Sequence, residues 1–383
     1  MNIIYLTTTY EVGDGTSTAI KNQIECDKHV CDSYLLLAKK IPSYEEDLNV
    51  GVISNITLIK DFLRRKNIHI HYFKSRSSNV LMDLLEMSGY GIPVITTVCQ
   101  SPSYPNLWIT PFELKHTWHF VFIDKASYNN KLVGFIPDKL KSQIYLSAAK
   151  YRDYSSVKKT DNGGKIVFGR GSSSVKCPRN MFEVFDKINV PNKLFRIVGI
   201  DGSDNWIYEE ARKRNNVEVY GKLSPEEWVE MCNSFDVFLY QLPDDCFSSL
   251  DGTLGLAMLL GKPVVYMGCP APKERFHNNE NGFVAESVDE MVEFATKLGN
   301  DAELRFNVGE KGRISTLTDF KGETRVKEYR RVYYTTKKHS KFRIPLRYWL
   351  LFLTKNFSQS KQYIRGILRI NFKSLFWLYS KLK

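Results

Sequence analysis

At 383 residues the chain is longer than one hydrophobic core ordinarily covers, so two domains and an extension are expected. Hydrophobic residues make up 43% and charged residues 25%, a balance that excludes fibrous or disordered chains. The net charge of +12 sits at one end: residues 337–383 hold twelve of the 54 Lys and Arg and none of the 42 Asp and Glu, so the remainder is neutral.

The first apolar run, at 2–7, reads as a buried strand; a signal peptide would need a basic start and a longer apolar stretch. A loop with Gly13, Asp14 and Gly15 follows, and Thr16 or Ser17 opens a helix. Backbone N–H groups at such a start can face an anion, although two glycines also suit a plain turn. Further strands are predicted at 33–37, 68–73, 94–98 and 120–123, giving a Rossmann-like domain over 1–150. The polar segment 147–164, ending Gly163-Gly164, is the predicted linker.

A new strand runs through Ile166-Val167-Phe168-Gly169-Arg170. The loop after it, Gly171-Ser172-Ser173-Ser174-Val175, lacks bulk and ends at Lys176, a composition that can surround a diphosphate or simply be a solvated basic loop. Ser224-Pro225-Glu226-Glu227 supplies an N-cap, a first-turn proline and first-turn acids, and so starts a helix. A strand at 237–240, a polar loop at 241–249 and an apolar helix at 253–260 follow, the helix stopped by Gly261 and Pro263 ahead of a strand at 264–267. Ligands sit at the carboxyl ends of strands in an open parallel sheet, which places the loops after Tyr240 and Met267 at a site. The seven cysteines, Cys26, Cys31, Cys99, Cys177, Cys232, Cys246 and Cys269, show no Cys-x-x-Cys spacing, which favours free thiols in a reducing compartment over disulfides or zinc.

Phe168-Gly169-Arg170 with Lys176, Ile197-Val198-Gly199, Val219-Tyr220-Gly221 with Leu223, Asp236-Val237-Phe238, Gly261-Lys262-Pro263-Val264-Val265, and Glu274 ahead of Asn281-Gly282-Phe283-Val284 resemble, in order and approximate spacing, the GT-B-fold glycosyltransferases. That large retaining family includes bacterial polysaccharide enzymes. The resemblance covers about 1–334 and implies an α/β fold with two Rossmann-like domains facing across a cleft: an acceptor domain at 1–150 and a nucleotide-sugar donor domain at 165–334. It implies no obligatory metal, and no cofactor besides the nucleotide-sugar co-substrate.

Carried over by residue, Gly169, Arg170 and Lys176 hold the diphosphate, Tyr220 and Leu223 border the nucleobase or belong to the core, and Gly13 to Gly15 approach donor phosphate or acceptor. Ser248, Thr253 and Glu274 complete the expected donor site. The chain departs from the family at its paired glutamates, seven residues apart, whose places hold Ser248 and Leu256. Asp251 can substitute as a carboxylate or cap the following helix, with Asp244 and Asp245 nearby. The histidine often found after the strand at 94–98 is replaced by Cys99. Charge grows on the departing diphosphate in such chemistry, so Arg170, Lys176 and Asp251 are the expected catalytic groups. Glu11, Asp14, His116 and His119 are the candidate general bases.

Residues 337–383 are predicted to form a basic, aromatic helical tail. Its longest apolar run, 348–353, is too short for a membrane span of about 20 residues. Ile364, Ile367, Leu368, Leu375 and Leu378 recur at helical spacing, while Lys361, Arg365, Arg369 and Lys373 step by four along another face. With Arg343, Arg347, Trp349 and Trp377 this reads as an interfacial helix on an anionic membrane, the alternative being a helix packed on its own protein. Nucleic acid is not expected, because no nucleic-acid module accompanies the tail. The expected function is transfer of a sugar to a carbohydrate acceptor, lipid-linked, by a cytoplasmic enzyme peripheral on the inner face of the cell membrane. The alternatives are a non-catalytic relative serving as partner to another glycosyltransferase subunit, and a nucleotide-sugar epimerase.

Overall fold

The first strand shows why the chain folds as it does: Ile3, Ile4, Tyr5 and Leu6 have no exposed surface, so this run is covered on both faces, as only an internal parallel strand is. The computed structural model describes residues 1–9, 15–27, 31–40, 50–52, 65–74, 91–100, 109–145, 154, 160–200, 202, 205–244, 246, 248, 250, 252–277, 279–320, 322–337 and 342–355. The chain divides into two units, Met1–Tyr145 with Arg325–Lys383, and Leu146–Thr324.

In the first unit β1 (Asn2–Thr9), β2 (Ser33–Lys40), β3 (Val50–Val52), β4 (Ile68–Lys74), β5 (Val94–Val98), β6 (His119–Phe122) and β7 (Lys141–Gln143) form one sheet. Their order is β3-β2-β1-β4-β5-β6-β7 and every pairing is parallel. The five expected strands are present, and β3 and β7 are additional. Helices α1 (Gly15–Asp27), α2 (Pro111–His116) and α3 (Lys125–Tyr128) belong to this unit. Thr110 and Glu113 cap the start of α2 reciprocally, with Pro111 in its first turn.

The second unit repeats the plan. Strands β8 (Ile166–Gly171), β9 (Lys193–Val198), β10 (Val217–Tyr220), β11 (Val237–Gln241), β12 (Val264–Met267) and β13 (Phe283–Val284) take the order β10-β9-β8-β11-β12-β13, again all parallel. The helices are α4 (Met181–Lys187), α5 (Asn205–Arg212), α6 (Pro225–Asn233), α7 (Gly252–Leu259), α8 (Pro270–Lys273), α9 (Val288–Asn300) and α10 (Ala302–Asp319). The Ser224–Glu227 capping box starts α6. Gly261, at φ +68°, ends α7: its N–H bonds the Met258 carbonyl and the Lys262 N–H bonds that of Ala257, the pairing of a Schellman cap. Alternate strand residues feed two cores, Phe168, Val237 and Leu239 on one face, Val167, Phe238 and Tyr240 on the other.

Two helices return to the first unit. On α11 (Gly322–Thr335), Arg325, Tyr329 and Tyr333 are buried. The Arg325 guanidinium donates to Gln23 Oε1 at 2.6 Å, the Tyr333 hydroxyl lies 2.6 Å from His71 Nδ1, and that of Tyr329 lies 3.0 Å from Thr97 Oγ1. Through these contacts the segment Arg325–Lys383 belongs with the first unit. On α12 (Leu346–Lys355), Tyr348 and Phe352 are buried, and Tyr348 joins the core of Val98, Ile109, Leu114 and Phe120. The start of the basic tail is therefore packed on its own protein. Lys361, Arg365, Arg369, Lys373 and Trp377 lie outside the described residues. Among the described residues no helix is long and apolar enough to cross a membrane.

Candidate donor site

The strand order of the second sheet reverses between β8 and β11, and at such a point the carboxyl ends of neighbouring strands diverge and leave a crevice for ligand. Arg170 and Gln241 occupy those two ends. Arg170 is only 1% exposed. Its Nη1 donates to the Gln241 carbonyl, and its Nη2 to the Lys176 carbonyl at 2.6 Å and Ser172 Oγ at 3.2 Å. The guanidinium therefore ties the loop after β8 to the end of β11, at the place where the resemblance implies a diphosphate contact.

The same loop requires its glycines. A Cβ on Gly169 would collide with the Phe235 ring, and one on Gly171 with the Trp228 ring. Gly199, at φ +91°, ends β9 against the Ser172 carbonyl. The loop is thus fitted between β9, α6 and β11, and one short 3-10 turn, Ser174–Lys176, brings Lys176 back over the crevice.

Lys176 is half-buried and donates from Nζ to Ser248 Oγ at 3.0 Å. Ser248 is 3% exposed, and its carbonyl accepts from Cys269 Sγ at 3.7 Å. Cys269 follows β12 and takes a hydrogen bond from the Tyr266 hydroxyl to its carbonyl at 2.6 Å. Hydrogen bonding with Cys246, and then burial, push the Cys269 thiol well above the usual range, so it is neutral. Arg170, Lys176 and Ser248, separated in sequence, are expected donor residues that the fold brings together.

Tyr220 and Leu223 are half-buried at the end of β10 and beyond it, packed beside the core. The Tyr220 hydroxyl donates to Glu218 Oε2 at 2.9 Å, and Arg196 Nε donates to the same oxygen at 2.8 Å. Burial and then Glu218 raise the Tyr220 phenol. Thr253 is half-buried in the first turn of α7, and Glu274 is half-buried just after α8. Leu256 is 8% exposed, within the apolar face of α7. Asn281 is structural: its Nδ2 donates to the Arg275 carbonyl and Ser315 Oγ, both at 2.8 Å, and its Oδ1 accepts from the His277 N–H.

Glu11, Gly13, Asp14, Asp245 and Asp251 lie outside the described residues; Gly15 is the first residue of α1, and Asp244 is exposed. His119 begins β6 and bonds Ser142 Oγ at 2.8 Å, while His116 ends α2 just ahead of that strand. Both therefore stand at the amino-terminal edge of the first sheet, whereas open parallel sheets generally take ligands at the carboxyl edge. Cys99 follows β5 at the carboxyl edge, 6% exposed. Beside it a buried ion pair joins Lys74 to Glu113 at 3.2 Å. Among the described residues no group of three or more His, Cys, Asp or Glu could hold a metal ion.

Trp228 and Gln241 support the loop after β8 without any local motif to announce them, since each meets it through the fold, and Cys269, held by Tyr266, supports Ser248.

Residues 166–301 match the family model described as glycosyl transferases group 1. No curated protein matches the chain. Among solved structures, Anabaena HepE in complex with UDP-glucose is similar at 14% identity and a TM-score of 0.68, over 87% of this chain and 99% of that one. WaaG, a glycosyltransferase involved in lipopolysaccharide biosynthesis, is similar at 12% identity and a TM-score of 0.63, over 88% and 100%. A glycosyltransferase from Rickettsia africae is similar at 13% identity and a TM-score of 0.64, over 88% and 99%. The family model covers residues 166–301, and the two parallel sheets together match the GT-B fold of these solved structures.

Proposed function

We propose that the protein transfers a sugar from a uridine diphosphate donor to a lipid-linked carbohydrate acceptor in the synthesis of a surface glycan. The observation that carries this reading is Lys176, held over the switch-point crevice by a loop that Arg170 secures, in the segment that matches the group 1 model. The UDP and UDP-glucose complexes of HepE support the choice of nucleotide.

In the reaction the bond between the anomeric carbon and the diphosphate oxygen breaks, the acceptor hydroxyl oxygen bonds that carbon in its place, and the hydroxyl proton passes to the departing diphosphate. Negative charge grows on the leaving diphosphate. The Lys176 ammonium, leaving Ser248 Oγ for a phosphate oxygen, stabilises that charge more in the transition state than in the ground state. Arg170 acts by fixing the loop and by the field of its buried charge. The reaction needs no metal, so turnover is expected to be unchanged by EDTA. Uridine nucleotides should raise the melting temperature of the wild-type protein, since ligands that bind only the folded state stabilise it. Lys176→Ala should reduce that shift and lower turnover by roughly a hundredfold, about 3 kcal/mol, as loss of one oxyanion donor does. Near-normal turnover of this variant would refute the assignment.

A second reading is favoured by Ser248 and Leu256, which stand where the resembling family has glutamates and carry no carboxylate. In that case the protein is a non-catalytic partner of another glycosyltransferase, binding nucleotide sugar without transferring it. On the first reading the protein works at the inner face of the cell membrane, where lipid-linked acceptors and nucleotide sugars meet. The acid-free segment 337–383 supports this placement.

A further inference from the structure

Helix α12 is apolar on two faces. Tyr348 and Phe352 point inward at 3% and 0% exposure, while Leu346, Leu350 and Leu353 stand outward at 73%, 54% and 43%. Spacings of four and three put these leucines on one stripe of the helix. Arg347 is exposed along one border, Arg343 is exposed just ahead of the helix, and Trp349 is half-buried along the other border. Single exposed leucines are ordinary, but three in one stripe framed by arginine and tryptophan form a patch.

We infer that this stripe is the surface by which the protein lies on an anionic phospholipid bilayer, with the leucines among the acyl chains and Arg343 and Arg347 at the level of the phosphates. The inference rests on the reading of the basic end as membrane-facing and is independent of the donor chemistry. Charge complementarity selects this occupant: residues 337–383 carry twelve Lys and Arg and no acid, and cations near an anionic leaflet add to apolar insertion. A second copy paired through the same face would set Arg343 and Arg347 of both copies against each other, because a two-fold interface uses the same patch twice. Nucleic acid would meet the arginines and leave the leucines in water.

The test is co-sedimentation of the purified full-length protein with vesicles of phosphatidylglycerol and phosphatidylcholine, and with vesicles of phosphatidylcholine alone. Two multiple variants are compared, Leu346→Gln/Leu350→Gln/Leu353→Gln and Lys361→Gln/Arg365→Gln/Arg369→Gln/Lys373→Gln. The leucines are exposed, so an unchanged melting curve is expected and certifies the first variant. Wild type should pellet with the anionic vesicles only, and the leucine variant should lose about tenfold or more of that partitioning. If the leucine variant binds as wild type while the tail variant does not, the basic end still meets the membrane but this face does not. Failure of wild type to bind either vesicle overturns both. A light-scattering mass that falls from dimer to monomer in the leucine variant, with vesicle binding unchanged, assigns the stripe to a second copy and overturns the inference.

Discussion

Arg170 and Lys176 are six residues apart, and the structure gives them different work. Arg170→Ala removes a buried guanidinium and strands the carbonyls of Gln241 and Lys176, so it should lower stability by about 1–3 kcal/mol for each group left unsatisfied, along with activity. Lys176→Ala touches a half-buried ammonium and should leave the urea midpoint nearly unchanged while turnover falls. Paired denaturation and transfer assays separate the two roles, and equal stability losses would contradict the division. Both cations could be read in the sequence from their place after a strand. The burial of Arg170 could not, because its acceptor at Gln241 is reached only when β8 and β11 pair.

His71 makes a pH prediction at the same scale. Its ring bonds Tyr333 and Thr97, and burial, with Arg325 adding to it, holds its pKa well below the ordinary histidine value. The folded state thus keeps the ring neutral, while the unfolded chain takes up a proton below about pH 6.5, so stability is lost as pH falls through that value. Asp27 in the same network is shifted the opposite way: burial raises its carboxyl, so its contribution is lost as pH rises through the folded value. A His71→Asn variant should therefore flatten the decline in melting temperature below about pH 6.5 and leave the Asp27 contribution in place. An unchanged decline would show that other groups govern it.

At the scale of elements, the signals that were legible were local. Ser224 with Glu227 announced α6, and Gly261 with Pro263 announced the end of α7, because caps and helix stops are built from neighbours in sequence. Strands β3 and β7 carried no such signal: Val50-Gly51-Val52 and Lys141-Ser142-Gln143 are three-residue edge strands, too short for a periodic pattern, and β7 has no apolar residue. The need for glycine at 171 was likewise hidden, since Trp228 arrives from α6, far along the chain. Gly171→Ala should force a shift of the Trp228 ring and cost roughly 1–3 kcal/mol, the usual penalty of overpacking. A chemical-denaturation midpoint equal to wild type would show that the ring yields freely. His116 and His119 stand at the amino-terminal edge of the first sheet, a placement set by strand polarity that residue type does not reveal.

For the whole molecule, the doubled arrangement of parallel strands was readable from alternating apolar runs and helical segments. The return of the chain after 324 to the first unit was not readable at its boundary, because Arg325, Tyr329 and Tyr333 look like an ordinary helix face until Gln23, Thr97 and His71 are placed beneath them. The segregation of all net charge into 337–383 was visible at once, and the structure adds that its first helix is docked through Tyr348 and Phe352 with a leucine stripe outward. The most direct measurement of the central claim is calorimetric titration of the purified protein with UDP and UDP-sugars, wild type against Lys176→Ala. Saturable one-to-one binding of a uridine nucleotide, weakened about tenfold or more by the substitution, is the predicted result, since it removes one charge-assisted phosphate contact. Absence of binding by wild type, or equal affinity in the two proteins, would contradict a donor site at the β8–β11 switch point.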